Sequence, residues 1–229
     1  MIVSHRHRFV SIKAEKTAGT SLEIALSEFC GPDDIITPIT PNDEAVRAEL
    51  GFRTAQNYHL PLSVYTRLEW AKLALKRERA AFKNHDPATK IRRVLSDAQW
   101  DGYFKFVFER NPWDKVLSYY HHLGGDPKFG SVWEFMQSGR GGRIRGFELY
   151  TVGGVPVVDR IYKHEERAEA LADITERLGL PKPLKMPSYK AKGGFRKDRR
   201  SYREVLTDRE AELIADIYAR EIRLLGYTF

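Results

Sequence analysis

Six consecutive residues, Lys16-Thr17-Ala18-Gly19-Thr20-Ser21, have the makings of an anion cradle. A tight turn that opens a helix leaves backbone N–H groups unpaired and aims the positive end of the helix dipole at one spot. Lys16 adds a charge, Gly19 allows the backbone to approach an anion closely, and the hydroxyls of Thr17, Thr20 and Ser21 add donors. The chemistry is binding of phosphate or sulfate. The loop is not the nucleoside-triphosphate pattern G-x-x-x-x-G-K-[ST], because its lysine precedes the glycine and no strand-end aspartate stands ready for magnesium. A second candidate group follows at Glu109-Arg110-Asn111-Pro112, with Ser118 eight residues after the arginine. Arg110 offers a planar fork of donors to phosphate oxygens, and Ser118, about two helical turns along, adds a hydroxyl.

Both groups need strands and helices to position them. Phe9–Ile12 reads as a short buried strand running into the first loop. Leu22, Ala25, Leu26 and Phe29 then recur at helical spacing, and Gly31-Pro32 ends the helix. Tyr103–Phe108 is aromatic and β-branched, the clearest strand in the chain, and Asn111-Pro112 breaks it before a helix from Asp114 to about His122. The pattern further predicts a short helix around Asp43–Leu50 and a basic helix over Leu68–Phe82. It predicts irregular chain from Gly124 to Gly146 and a strand at Arg160–Lys163. A helix carrying Leu171, Ile174 and Leu178 closes at Gly179. A last helix opens with a Thr207/Glu210 capping box and lines up Ile214, Tyr218, Ile222 and Leu225. The recurring strand–turn–helix order predicts an α/β fold, a P-loop-like and mostly parallel sheet flanked by helices. The whole of 1–229 is expected to form one domain, with 31–100 a helical and loop insertion on the substrate side.

The chain has 229 residues, with 38 Lys and Arg against 31 Asp and Glu, a formal charge of +7. Hydrophobic content of 42% with 12% aromatics excludes a mainly disordered chain. Its apolar runs are too short to span a bilayer, and Met1–Arg8 lacks the apolar stretch of a signal peptide, so the expectation is a cytoplasmic protein. Cys30, the single cysteine, excludes an internal disulfide and a multi-thiolate metal site. Basic charge is concentrated. Thr66–Arg93 holds nine basic residues and three acids, and Lys190–Arg203 holds seven and one. Such patches suit an anionic partner: nucleotide, acidic glycan, nucleic acid or membrane surface.

The lysine-first loop followed by T-x-G-T-S resembles the 5′-phosphosulfate loop of sulfotransferases that use 3′-phosphoadenosine-5′-phosphosulfate (PAPS). Phe106-Val-Phe-Glu-Arg110-Asn111-Pro112, followed by Ser118, resembles the same enzymes' second motif, whose matching arginine and serine hold the 3′-phosphate. Trp100–Phe106, Val158–Glu165 and Tyr218–Tyr227 are similar to segments of bacterial members of the carbohydrate-type family, while 31–80 match poorly. Lys115 stands where the family often has arginine and keeps the charge. Glu109 stands where it often has valine, and reads as a solvent-side residue.

The resemblance implies transfer of a sulfuryl group from PAPS to a hydroxyl or amine of a carbohydrate or glycolipid, leaving 3′-phosphoadenosine-5′-phosphate (PAP). Lys16, Thr17, Ala18, Gly19, Thr20, Ser21, Arg110 and Ser118 would bind the nucleotide, and Lys16 would stabilise the leaving oxygen. No metal is expected, since a sulfuryl carries less charge than a phosphoryl. A general base must take the acceptor's proton. His85, in Asn84-His85-Asp86-Pro87-Ala88, resembles the family's Asn-His-x-x-Ala base pattern; His59 and Glu15 are the alternatives, and His121 and His122 read as a partly exposed helix end. Lys192-Gly193-Gly194-Phe195-Arg196 looks like the family's late loop over the adenosine, which gives Gly193 and Arg196 a cofactor role. Two other readings stay open. One is a nucleic-acid-binding module using the basic patches, although no recognised binding motif supports it. The other is an atypical P-loop nucleotide kinase.

Overall fold

The computed structural model describes residues 1–187 and 200–229. Its centre is a five-stranded sheet. The strands are β1 (Ile2–Ser4), β2 (Phe9–Ile12), β3 (Ile35–Ile36), β4 (Phe104–Glu109) and β7 (Arg160–Lys163), in the order β3-β1-β2-β4-β7. β1 runs antiparallel to both β2 and β3, whereas β2, β4 and β7 pair in parallel. Four of the five strands therefore point the same way, which is the mostly parallel α/β sheet expected. A separate two-stranded ribbon joins β5 (Thr151–Val152) and β6 (Val155–Pro156).

Helices fill the connections. Between β2 and β4 lie α1 (Gly19–Ser27), α2 (Pro41–Glu49), α3 (Arg67–Lys76), α4 (Ala88–Arg92) and α5 (Asp97–Gly102). Between β4 and β7 lie α6 (Pro112–His122), α7 (Asp126–Phe129), α8 (Val132–Gln137) and α9 (Phe147–Tyr150). After β7 come α10 (Arg167–Arg177), α11 (Tyr202–Val205), α12 (Asp208–Ile217) and α13 (Ala219–Leu225).

Strand parity sorts the core. Val10, Ile12 and Val107 point to one face and pack with Leu60, Phe82, Ile91 and Tyr150. Phe9, Phe106 and Phe108 point to the other and meet Leu22 and Leu26 of α1 and Ile174 of α10. With both faces covered, every residue of β2 is buried. A third cluster, Trp113, Val116, Leu117 and Tyr120 with Phe135 and Ile214, anchors α6 to α8 and α12.

Three expectations need correction. The basic helix ends at Lys76 and not near Phe82, because Arg77 turns left-handed (φ 53°) and the chain pairs back: Leu60 N donates to the Ala80 carbonyl and Phe82 N to the Tyr58 carbonyl. The 124–146 stretch contains α7 and α8. Ser131 caps α8, and Val132, Phe135 and Met136 bury its inner face. The last helix is two: Tyr218 breaks the regular backbone (φ −104°, ψ 22°) as its hydroxyl donates to the Gly141 carbonyl. β1 has no counterpart in the sequence reading.

Candidate functional site

Between β2 and α1 the chain passes through a strained turn. Lys16 (φ 63°) and Ala18 (φ 60°) are both left-handed although each carries a Cβ, a cost of about 1–3 kcal/mol per residue. Side chains from three places hold the turn. Thr17 Oγ1 donates to the Ala14 carbonyl, Arg110 Nη1 to the Lys16 carbonyl and His164 Nδ1 to the Thr17 carbonyl, each at 3.1 Å. Strain over-determined in this way is found where a backbone has to present its groups to a ligand. Ala18 stands at the N-cap of α1 and offers no capping side chain, so the first amides of the helix are not occupied by a cap of their own.

The parallel pairing of β2 with β4 brings the ends of the two strands together. Arg110 leaves the end of β4 and Asn111 caps α6, its Oδ1 accepting from Trp113 N at 3.1 Å. Asn111 N in turn donates to Glu165 Oε1 at 2.8 Å, which ties the start of α6 to the segment after β7. Arg110 uses Nε and Nη2 on Asp114 Oδ2 (2.8 and 2.6 Å) besides its bond to Lys16. Of the five guanidinium N–H donors, three are engaged by the described residues and two are not.

One cleft of about 230 Å³ results. It is lined by Lys16, Ala18, Gly19, Thr20 and Ser21 from the loop, Arg110 and Ser118 from the second motif, and His85. Lys13, Ala14, Glu15, Tyr119 and His122 complete the wall. Lys16 and Arg110, ninety-four positions apart in the chain, thus line one cleft together with Ser118 and the base candidate His85. Thr17 is buried with its hydroxyl turned to Ala14, so it braces the turn and does not line the cleft. His59 is exposed, in an isolated bridge with Ala81, and does not line it either. Glu15 does, with Oε2 accepting from Arg145 N at 2.9 Å. Gly193 and Arg196 lie outside the described residues.

His85 is set by its own hydrogen bond. Nδ1 lies 2.8 Å from the Lys13 carbonyl; a carbonyl only accepts, so the proton sits on Nδ1 and Nε2 keeps the lone pair. Burial pulls the imidazole down to about 4 against the opposing effect of that carbonyl bond, with the Lys13 ammonium adding to the depression. At neutral pH His85 is therefore an uncharged base. His164 is held at about 4 in the same manner, by burial and then by Arg110 and Arg167.

Two lysines near the site carry scaffold charge. Lys13 pairs with the buried Glu23, which also accepts from the Met1 ammonium at 2.6 Å and from Thr37 Oγ1 at 2.9 Å. The Lys13 stem runs under Gly19: a Cβ there would sit 2.7 Å from Lys13 Cγ. That close approach is a second reason for glycine, unread in the sequence. Lys115 and Glu109 form a fully buried pair at 2.7 Å, with the Tyr150 hydroxyl 3.2 Å from the other carboxylate oxygen. A Cβ on Gly146 would come within 2.5 Å of Lys115 Nζ. Glu109 is thus not solvent-side, and Lys115 is not a ligand-facing cation. Sequence reasoning also missed Tyr119, His122 and His164. The signal for His122 was its i+4 spacing from Ser118, which puts both on one face of α6.

Fold and site together define an α/β protein in which the two candidate anion-binding motifs line one cleft. No family model matches the chain. A 103-residue stretch is 36% identical to an uncharacterized protein of Archaeoglobus fulgidus, covering 43% of this chain and 86% of that one. The chain belongs to the same family as that archaeal protein, whose name assigns no activity. A crystal structure of retinol dehydratase in complex with androsterone and the inactive cofactor PAP is similar at a TM-score of 0.44 and 12% identity, covering 99% of this chain and 84% of that one. At that score the likeness assigns nothing to this chain. Among the described residues no helix is long and apolar enough to cross a membrane.

Proposed function

We propose that this chain is a PAPS-dependent sulfotransferase acting on a hydroxyl or amine of a carbohydrate or glycolipid. One observation carries the reading: Arg110 reaches the carbonyl of Lys16 at 3.1 Å, so both anion-binding motifs line a single cleft. A ligand with anionic groups at two places, as a nucleotide bisphosphate has, satisfies both. The cleft is smaller than the roughly 300–1,000 Å³ of pockets that enclose a whole drug-sized ligand. It suits the charged portion of a nucleotide, with the remainder against open surface.

PAPS, when bound, supplies a sulfuryl group on a phosphosulfate anhydride. Lys16 and the amides that open α1 stabilise the negative charge that builds on the leaving oxygen, a role that fixed donors perform without reorganising. Arg110 and Ser118 bind the 3′-phosphate. His85 Nε2 accepts the proton of the acceptor hydroxyl or amine. A base at about 4 is weak for that task at neutral pH, and a bound anion beside it raises its basicity, so His85 works best with the nucleotide in place. The 31–100 segment supplies the acceptor side of the cleft through His85.

A thermal-shift comparison of PAP with ATP–magnesium tests the reading. Stabilisation by PAP in preference to ATP–magnesium is the expected result. Equal stabilisation, or preference for ATP–magnesium, overturns it in favour of a kinase-like nucleotide site.

A further inference from the structure

Helix α3 buries none of its ten residues. Its inner side is tethered, with Glu69 paired to Arg93 at 2.6 Å and the Thr66 capping box closing its start. The outer side is unusual for a surface helix. Leu68, Ala71 and Leu75 recur at i, i+3 and i+7, with Lys72 beside them and Lys76, one turn on from Lys72, at the flank of the stripe. Leu75 is 84% exposed and Leu68 66%. Of the ten exposed large hydrophobics among the described residues, four lie between positions 62 and 75, and Leu68 and Leu75 of these share this face. Single exposed leucines need no explanation, but a concentration of them does. The surrounding charge is positive, and two of the three acids in Thr66–Arg93 are already paired, Glu69 with Arg93 and Asp86 with Lys90.

We propose that this face of α3 docks on an anionic lipid surface, Leu68 and Leu75 entering the headgroup boundary while Lys72 and Lys76 meet lipid phosphates. The combination selects the occupant. A basic helix with exposed leucines gains from acyl chains and from headgroup charge together. A second copy of the same face would oppose lysine to lysine. A nucleic acid or a soluble acidic glycan would engage the lysines and leave the leucines in water. None of these four residues lines the catalytic cleft, so the proposal stands independently of sulfuryl transfer.

Flotation of the full chain with phosphatidylcholine vesicles, with and without 30% phosphatidylglycerol, tests it. Binding is expected to the anionic vesicles only and to weaken with salt. The Leu68→Asp/Leu75→Asp and Lys72→Glu/Lys76→Glu double variants each cut the bound fraction at least tenfold, with circular dichroism unchanged because all four side chains are exposed. Val152→Asp/Val155→Asp, which alters exposed valines on the β5–β6 ribbon, leaves binding intact. No binding to anionic vesicles, equal binding to neutral ones, or binding that survives both α3 variants overturns the proposal. So does loss of oligonucleotide binding in those variants with vesicle binding unchanged, which assigns the face to nucleic acid.

Discussion

Arg110→Ala separates a ligand-holding arginine from a merely structural one. In the free protein the side chain makes a partly exposed pair with Asp114, at 17% and 22% exposure, and one bond to the Lys16 carbonyl. A pair of that exposure contributes about 0–1 kcal/mol and the carbonyl bond about 1, so the variant loses about 1–2 kcal/mol of stability. For a chain of this size that is about 2–8 °C in Tm. The two uncommitted N–H donors matter only when a phosphate is bound. At about 1.5 kcal/mol for each charge-assisted bond, their loss weakens PAP binding roughly a hundredfold. With PAP at 100 times the wild-type Kd, wild-type protein gains about 2.7 kcal/mol, or about 5–10 °C, whereas the variant gains about 0.4 kcal/mol, or about 1 °C. Differential scanning fluorimetry with and without PAP reads both quantities. A variant with a lowered Tm but a full wild-type shift on adding PAP would refute the assignment of Arg110 to the nucleotide.

Three further changes probe the scaffold. Gly19→Ala drives a Cβ to 2.7 Å from the Lys13 stem, which the buried Glu23 pair prevents from moving aside; overpacking of this kind costs about 1–3 kcal/mol, and urea titration should show it together with weakened PAP binding. Lys115→Met leaves Glu109 buried and unpaired, costing about 3–5 kcal/mol, while adding Glu109→Leu restores much of that loss; equal stability of the single and double variants would contradict the pairing. His85 and His164 are held at about 4, below the 6.5 of a free imidazole. Between those values the unfolded chain binds protons that the folded one refuses. Stability is therefore complete above pH 6.5 and lost as pH falls toward 4, by up to about 2 kcal/mol per histidine between pH 7 and 5. Denaturant midpoints for His85→Gln and His164→Gln should show a shallower loss, and slopes unchanged from wild type would remove both groups from the account.

What could be read in the sequence was short-range. The Phe9–Ile12 strand, the turn at Lys16–Ser21 and the helix after it follow from neighbours within a few residues, as do the aromatic strand before Arg110 and its break at Asn111-Pro112. The errors came where the deciding partner is remote or leaves no compositional mark. Ile2–Ser4 is three residues followed at once by two histidines and two arginines, and it becomes a strand only because β2 and β3 pair with it on either side. Arg77 ends α3 in a left-handed conformation that glycine or asparagine usually signals. The glycines of 124–146 suggested loop, yet the pull of Tyr120 and its neighbours on Val132, Phe135 and Met136 folds a helix there.

Charge was the least legible property, and its redistribution shapes the candidate site. Three lysines lie within or close to the two motifs, and nothing in the sequence marks two of them as scaffold. Lys115 is bound inside by Glu109, and Lys13 by Glu23. Each buried pair consumes a cation that a count of basic residues would award to the ligand. Each also fixes backbone: Lys13 presents its carbonyl to His85 and its stem to Gly19, while Glu109 and Lys115 lock the first turns of α6 to the end of β4. Of the cations in the two motifs, Lys16 and Arg110 line the cleft, and the Arg110 side chain contacts the Lys16 backbone. The buried acids fix the backbone around the cleft, so Glu23→Gln or Glu109→Gln is expected to reduce the thermal shift produced by PAP through geometry, despite raising the net positive charge.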